Sequence, residues 1–118
     1  MTGYLLDTDH YTLFERGHAP LRRWMEHVSA LSIGVSSVTV EEALRGRLAM
    51  LAHPRGGAER IRAYGRLIET VRFFATVPIL PFNESCEIQF QKLRAHKLRT
   101  GSQDLRIAAT AMVWNLTV

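Results

Sequence analysis

The sequence predicts an α/β fold in which a short parallel sheet is covered by helices. Short apolar or β-branched runs alternate with stretches at helical spacing, and glycine or proline separates several of them. Strands that alternate with helices are joined by right-handed crossovers and form a parallel sheet with helices on both faces. With 118 residues, of which 47% are hydrophobic, the chain fits one globular domain over residues 1–118 and not a disordered chain.

The first strand and the first two helices are predicted by residues 4–28. Residues 4–6 form an apolar run that predicts a buried strand, and one of the polar residues 7–9 can cap the helix that follows. Gly17 is a suitable end for this helix. Pro20 suits the first turn of a second short helix, which we expect to end near Val28.

The second strand and third helix follow. Residues 31–36 alternate in polarity and include β-branched side chains, which predicts a strand. The third helix is expected to begin near residues 37–39 and to follow a 3.6-residue repeat as far as Leu51, before residues 53–57 break it.

The fourth helix is predicted from Ala58, and Pro78 prevents it from continuing into the third strand. Its apolar face is expected to consist of Ile61, Tyr64, Ile68 and Val71.

The last part of the chain predicts two strands and two helices. The third strand falls within residues 77–82, and Asn83 can cap a helix over residues 84–98. Ser102 or Thr100 can cap the final helix, which leads into a fourth strand at residues 116–118. The inward side chains of this end are expected to be Leu105, Ala108, Ala109, Met112 and Leu116.

Charge and cysteine content narrow the functional classes only partly. The 15 Lys and Arg residues exceed the 11 Asp and Glu residues, giving a net charge of +4, which favours an anionic partner modestly. The single cysteine, Cys86, excludes an intramolecular disulfide and a cysteine-based zinc site. No leader-like segment begins the chain and no stretch has the ~20 apolar residues that span a bilayer, so we expect a cytoplasmic protein without membrane association.

Three acidic residues are expected to meet at one edge of the sheet. Asp7 follows the first strand, Glu42 lies in the first turn of the helix after the second strand, and Asp104 lies in the first turn of the last helix. Ligands of open α/β sheets gather beyond the carboxyl ends of the strands. Three carboxylates there repel one another unless a cation offsets their charge, and oxygen ligands without cysteine suit Mg²⁺ or Mn²⁺.

Each acid also has a purely structural interpretation. Asp7 can cap the first helix. Glu42, three residues after Thr39, can complete a capping box. Asp104 can complement the dipole of the last helix. Taken singly, these interpretations are favoured, and only the shared position of the three acids favours a metal site.

The chain resembles the PIN-domain nucleases, and among them the VapC-like toxins of toxin–antitoxin pairs. The resemblance rests on residues 5–9, 37–46, 80–82 and 101–109, which occur in the family's order along nearly the whole chain. The resemblance is to a family member without the C-terminal segment, which carries a further acidic residue and the last strand in other members. The implied fold is therefore a three-layer α/β/α PIN-like domain without its last strand.

The resemblance implies that Asp7, Glu42 and Asp104 are catalytic, metal-binding acids, with Thr8 and Thr39 supporting them. Glu42, and not Glu41, matches the family's position, although spacing alone leaves open which of the two faces the metal. Asp9 stands where many relatives have asparagine; it can add a carboxylate to the site or only cap the helix, and we favour the cap.

The activity implied is that of a Mg²⁺- or Mn²⁺-dependent endoribonuclease, a toxin with RNA as its substrate, a cognate antitoxin as its partner, and a homodimeric state. The alternative is a catalytically weakened or inactive PIN-like module that binds a protein partner. A nucleotide-binding domain without nuclease activity lacks support because the chain has no glycine-rich phosphate loop. Basic side chains that could steer RNA, or could simply be solvated, are Arg45, Arg47, Lys92, Arg94, Lys97 and Arg99.

Overall fold

The computed structural model describes residues 3–28, 32–96 and 100–118. Within these ranges the chain forms an α/β fold with a four-stranded parallel sheet, as the sequence predicts. The strands are β1 (Gly3–Leu6), β2 (Ile33–Ser36), β3 (Ile79–Leu80) and β4 (Leu116–Thr117). The helices are α1 (Thr8–Glu15), α2 (Ala19–His27), α3 (Ser37–Ala52), α4 (Gly57–Phe74), α5 (Glu84–Ala95) and α6 (Ser102–Trp114).

The sheet has the strand order β3-β2-β1-β4. β1 pairs with β2 through Leu6 and Val35, and with β4 through Gly3 and Leu116. β3 approaches β2 closely at Gly34, where an added Cβ would lie 3.2 Å from the carbonyl oxygen of Pro78. The first two strands thus lie in the interior of the sheet, which places the loops after them at its centre. Leu31, predicted to begin the second strand, lies outside the described residues.

The core lies on both faces of the sheet because neighbouring side chains of a strand point in opposite directions. Leu6 belongs to a cluster that contains Tyr11 of α1 and Phe74 of α4. Leu5, the preceding residue, belongs to a second cluster that contains Ile107 of α6. Helices therefore cover both faces of the sheet, which gives the predicted three layers.

The apolar face predicted for α4 is wrong. The residues buried on this helix are Ala63, Thr70 and Phe74, of which Phe74 packs into the core beside Tyr11. The spacing identified a regular apolar stripe, but the buried side of α4 is a different one. On that side the small residues Ala63 and Thr70 allow neighbouring helices to approach closely. The stripe that remains exposed, by 50–75%, is Ile61, Tyr64, Ile68 and Val71.

The inward side chains of α6 also differ from those expected. Met112 is 55% exposed, whereas Ile107 and Ala111 are buried against the sheet. Leu105 and Ala109 pack with Phe90 of α5. Because α6 is buried on two sides, a single 3.6-residue stripe cannot describe its contacts.

The caps at the C-terminal end of the chain are partly as predicted. The side chain of Asn83 accepts a hydrogen bond from the Cys86 amide at 3.0 Å and caps α5. Gly101 is the N-cap of α6 and supplies no side-chain bond, so neither Ser102 nor Thr100 has the predicted role. Residue 98, the predicted end of the preceding helix, lies outside the described residues. Among the described residues, no helix has the length and hydropathy needed to cross a membrane.

Candidate functional site

The three predicted acids follow elements that end or begin at one edge of the sheet. Asp7 comes directly after β1, and Glu42 lies in the second turn of α3, which follows β2 without a loop. The chain enters β4 from α6, and β4 runs parallel to β1, so the N-terminus of α6, with Asp104, lies toward the carboxyl edge. This arrangement is the one in which open α/β sheets bind ligands.

Asp7 is the N-cap of α1. Its Oδ1 accepts a hydrogen bond from the His10 amide at 2.8 Å and lies 2.6 Å from Nδ1 of the His10 ring. The cap expected of Asp9 is thus provided by Asp7, and Asp9 is exposed in the first turn of the helix. The second carboxylate oxygen of Asp7, Oδ2, makes no hydrogen bond to a described residue, which leaves it available to a ligand.

Glu42 is held by the hydroxyl group of Thr8, the first residue of α1, which belongs to a small hydroxyl cluster. Thr8 Oγ1 donates to Glu42 Oε1 at 2.7 Å and lies 3.4 Å from Thr39 Oγ1. Ser36 Oγ lies 3.3 Å from the same Thr39 hydroxyl and accepts the Thr39 amide at 3.1 Å, which makes Ser36 the N-cap of α3. The capping box expected of Thr39 and Glu42 is therefore wrong, because Thr39 lies inside the helix and the Glu42 carboxylate contacts α1.

Glu41 and Glu42 point to different neighbours. Glu41 pairs with Arg45 one turn along the helix and accepts a hydrogen bond from Gln103 Nε2 at 3.1 Å. The contact with Gln103 joins the second turn of α3 to the first turn of α6. Asp104, the next residue, is exposed and makes no side-chain hydrogen bond to a described residue.

The donor chemistry of this edge fits a hard divalent cation. The side chains of Asp7, Thr8, Thr39 and Glu42 offer oxygen atoms only, and Mg²⁺ binds through one or two carboxylates with water and substrate phosphates completing its shell. Among the described residues, no group of three or more Asp, Glu, His or Cys side chains converges on one point. The structure thus brings Glu42 into contact with Thr8, the residue after Asp7, whereas Asp104 is exposed in the first turn of α6.

A groove of about 200 Å³ extends from Glu42 between α1 and α3 toward α4. Thr8 and Glu42 lie together at one end of the groove, and Arg16 lies two turns after Thr8 on α1, next to Glu15, which also lines the groove and pairs with Arg47. The residues that define it are Thr8, Thr12, Arg16, Glu42, Gly46 and Arg66.

A polar network joins the three helices beneath this groove. Arg47 forms an ion pair with Glu15 and donates from Nε to Thr70 Oγ1 at 3.0 Å. Tyr11 donates its hydroxyl to Glu15 Oε2 at 3.1 Å and lies 3.4 Å from the same threonine hydroxyl. Arg47, one of the basic residues that could steer RNA or simply be solvated, is therefore committed to a structural pair. Thr70 also donates to the carbonyl oxygen of Arg66 at 2.8 Å, so the network is fully hydrogen-bonded.

This network shifts the pKa of two of its members. Burial raises the pKa of Tyr11, the contact with the Thr70 hydroxyl opposes this rise, and the neighbouring charge of Glu15 adds to it. Burial lowers the pKa of Arg47, but the hydrogen bond and the charge of Glu15 outweigh burial and raise the pKa overall.

Of the other predicted basic residues, the three that the structure describes do not line the groove. Arg45 is exposed and paired with Glu41, and Lys92 and Arg94 are exposed on α5. Lys97 and Arg99 lie outside the described residues.

Sequence reasoning missed His10, Ser36 and the partnership of Glu15 with Arg47. A weak signal existed for Ser36, because a serine at the end of a strand, immediately before an apolar helical stretch, is typical of an N-cap. The ion pair gave no signal, because its members are 32 residues apart in the chain.

Comparisons with known proteins support the same fold. No protein-family model matches the chain, and no curated protein matches it. Among solved structures, a chain of DNA-bound VapBC from Salmonella typhimurium aligns with a TM-score of 0.77 at 19% identity, covering 98% of this chain and 83% of that chain. A chain of VapBC2 from Rickettsia felis, bound to a promoter DNA fragment, aligns with a TM-score of 0.74 at 22% identity, covering 98% and 84%.

A third similar structure is FitAcB from Neisseria gonorrhoeae, with a TM-score of 0.72 at 24% identity and coverage of 98% of this chain and 84% of that chain. At these identities the likeness establishes the fold. The predicted resemblance is thereby confirmed: the chain has the PIN-like α/β fold of the chains in these VapBC and FitAcB structures.

Proposed function

We propose that this chain is a VapC-like toxin that hydrolyses RNA phosphodiester bonds with the help of Mg²⁺ or Mn²⁺. The observation that carries the proposal is the Thr8–Glu42 hydrogen bond of 2.7 Å, which fixes a carboxylate beside the residue that follows Asp7, at the ligand-binding edge of the fold. The likeness to chains of toxin–antitoxin complexes supports the same function.

In this proposal Asp7, Glu42 and Asp104 hold the metal ion, directly or through water. A divalent cation at this place would offset charge on the scissile phosphate and make an attacking water more acidic. Thr8 orients the Glu42 carboxylate, and Thr39 lies within reach of Thr8. Asp7, fixed by the His10 amide, presents its free oxygen from the end of β1. No covalent enzyme intermediate is needed, because water is the nucleophile.

The test is cleavage of a mixed single-stranded RNA by the purified chain with Mg²⁺ or Mn²⁺, with EDTA as a control. We expect cleavage that EDTA abolishes and that Glu42→Gln reduces by at least about 100-fold. Glu41→Gln is the matched control, since the same change one residue earlier removes only the contacts with Arg45 and Gln103. Equal activity of the two variants, or cleavage that persists in EDTA, would refute the metal mechanism.

Asp104 has the most demanding role in this proposal, because its side chain is exposed and makes no hydrogen bond to a described residue. Asp104→Asn is expected to lower cleavage and to weaken Mn²⁺ binding measured by isothermal titration calorimetry. Unchanged Mn²⁺ affinity in this variant would restrict the metal site to Asp7 and Glu42.

The second candidate function is a partner-binding module with weak or no nuclease activity. The absence of a converging group of three metal-binding side chains among the described residues favours it. In either case the proposed partner is an antitoxin, as in the similar complexes. Folded protein that binds a co-expressed antitoxin, but neither Mn²⁺ nor RNA, would establish this alternative over the nuclease.

We also propose that the chain forms a homodimer through α4. The exposed residues Ile61, Tyr64, Ile68 and Val71 have alternating spacings of three and four residues, which is the spacing of helices that pack along a shared seam. A twofold axis pairing two antiparallel copies of α4 brings the two ends of this stripe together. Light scattering after size-exclusion chromatography should give a dimer that Ile68→Glu converts to a monomer, and a wild-type monomer would refute it.

A further inference from the structure

We propose that the groove between α1 and α3 binds the phosphate next to the one that is cleaved, with Gly46 as its floor and Arg16 and Arg66 as its anion ligands. This inference rests on the proposed function, since it takes single-stranded RNA as the ligand. In this proposal the RNA strand leaves the acidic site along the groove.

Gly46 is the first observation. It lies inside the 16-residue helix α3, where glycine is less favourable than alanine. A Cβ added there would meet no atom within 4 Å, so packing within the protein does not require glycine. Gly46 lines the groove one turn after Glu42. A glycine that packing within the protein does not require, on the floor of a groove, is expected where a ligand lies close to the backbone.

The two arginines are the second observation. Arg16 ends α1 and Arg66 lies on α4, and both line the groove and are exposed. Within the described ranges neither side chain forms an ion pair with an acidic residue. Arg47, the third arginine of the lining, is neutralised by Glu15. The groove therefore carries two uncompensated positive charges at the end away from Glu42, which suits a phosphate group.

The two ends of the groove interact differently with a phosphate. The acidic end repels a phosphate unless a cation is present, whereas the basic end attracts one without a cation. RNA binding through the basic end should therefore persist in EDTA. Binding can then be measured when no cleavage takes place, which separates this inference from the nuclease proposal.

The experiment measures the affinity of the full chain for a fluorescein-labelled 10-nucleotide single-stranded RNA by anisotropy in EDTA. Arg16→Gln and Arg66→Gln should each weaken binding and reduce its salt dependence. Each phosphate contact to a single strand contributes about 0.7 to the slope of log affinity against log salt. Because both arginines are proposed to bind the same phosphate, the double variant should lose about 2.6-fold less affinity than the wild type between about 50 and about 200 mM salt, and each single variant should show a smaller change in the same direction. Arg60→Gln, on α4 but outside the groove, is the control.

Gly46→Ala tests the floor. The added methyl group should weaken RNA binding by about 10-fold and raise the urea midpoint of unfolding, because alanine favours the helix. Gly65→Ala is the matched control: Gly65 is likewise an exposed helical glycine with no atom within 4 Å of an added Cβ, but it does not line the groove. We expect it to raise the midpoint and leave RNA affinity unchanged.

The possible outcomes separate the two proposals. Wild-type cleavage together with unchanged RNA affinity and salt slope in the Arg16, Arg66 and Gly46 variants would overturn the groove and leave the nuclease intact. Loss of binding in these variants, without wild-type cleavage in Mg²⁺, would support the groove and overturn the nuclease. A wild type that neither binds nor cleaves RNA would overturn both.

Discussion

Replacing Arg47 with methionine should destabilise the fold far more than the same replacement at Arg45. The two arginines lie two residues apart on α3, and each pairs with a glutamate. The side chains of Arg47 and Glu15 are 12% and 25% exposed, whereas those of Arg45 and Glu41 are 71% and 45% exposed. The helix propensities of the replacement are the same at both positions, so the difference reports the burial of the ion pair together with the hydrogen bond that Arg47 donates to Thr70.

The expected loss of stability depends on how deeply the unpaired glutamate is buried after each replacement. Removing one partner of a buried ion pair costs ~3–5 kcal/mol because the other charge stays buried. Glu15 keeps some solvent contact and its hydrogen bond from Tyr11, so we expect a loss near the lower end, about 3 kcal/mol. Exposed pairs contribute about 0.5 kcal/mol or less. Arg47→Met should therefore lower the free energy of unfolding by at least about 2 kcal/mol more than Arg45→Met.

The assay is urea unfolding followed by circular dichroism. With a denaturant slope of roughly 1.5 kcal/mol/M, about 3 kcal/mol corresponds to a drop of about 2 M in the urea midpoint. The double variant Glu15→Gln with Arg47→Met should be no less stable than Arg47→Met alone, since it removes the unpaired charge. If Arg47→Met lies within about 0.5 kcal/mol of Arg45→Met, the reasoning from burial is wrong.

Three further predictions concern the site, the network and the sheet. Asp7→Asn should abolish cleavage yet change the free energy of unfolding by less than about 0.5 kcal/mol, because asparagine caps helices as well as aspartate does. A loss of cleavage that only parallels a loss of folded protein would make Asp7 a structural residue. The raised pKa of Tyr11 means that the unfolded chain loses this proton first, so its contribution to stability is complete below about pH 10 and is lost as pH rises further. Tyr11→Phe should flatten the fall of the urea midpoint above about pH 10, and an unchanged profile would contradict this assignment. Gly34→Ala should cost about 1–3 kcal/mol in urea unfolding, because its Cβ would lie 3.2 Å from the Pro78 carbonyl oxygen, and a neutral effect would mean that β3 moves freely.

The order and type of the elements could be predicted from the sequence because they depend on local patterns. The apolar residues that end at Leu6 and the run that ends at Ser36 identify β1 and β2, and the helical repeat from Ser37 identifies α3. The parallel sheet follows from their alternation with helices. The same reasoning placed Asp7, Glu42 and Asp104 toward one edge, since it needs only the positions of strand ends and helix starts.

Side-chain partners depended on the tertiary structure. Glu41 and Glu42 are adjacent, and only the packing of α1 against α3 determines that Glu42 receives the Thr8 hydroxyl while Glu41 meets Gln103. From the sequence alone Arg47 is expected to be a solvated helical residue. In the folded structure Glu15 of α1 pairs with it.

Burial of helix faces was also decided by the fold as a whole. An apolar stripe shows which sides of a helix can be buried, but a neighbour of the right shape must be present for burial to occur. On α4 the small side chains of Ala63 and Thr70 face the interior, and Ile61 stays exposed. On α6 two neighbours, α5 and the sheet, bury two sides. The sequence thus determined the elements and the edge at which the acids lie, whereas contacts between residues distant in the chain determined how each acid and each helix face is used.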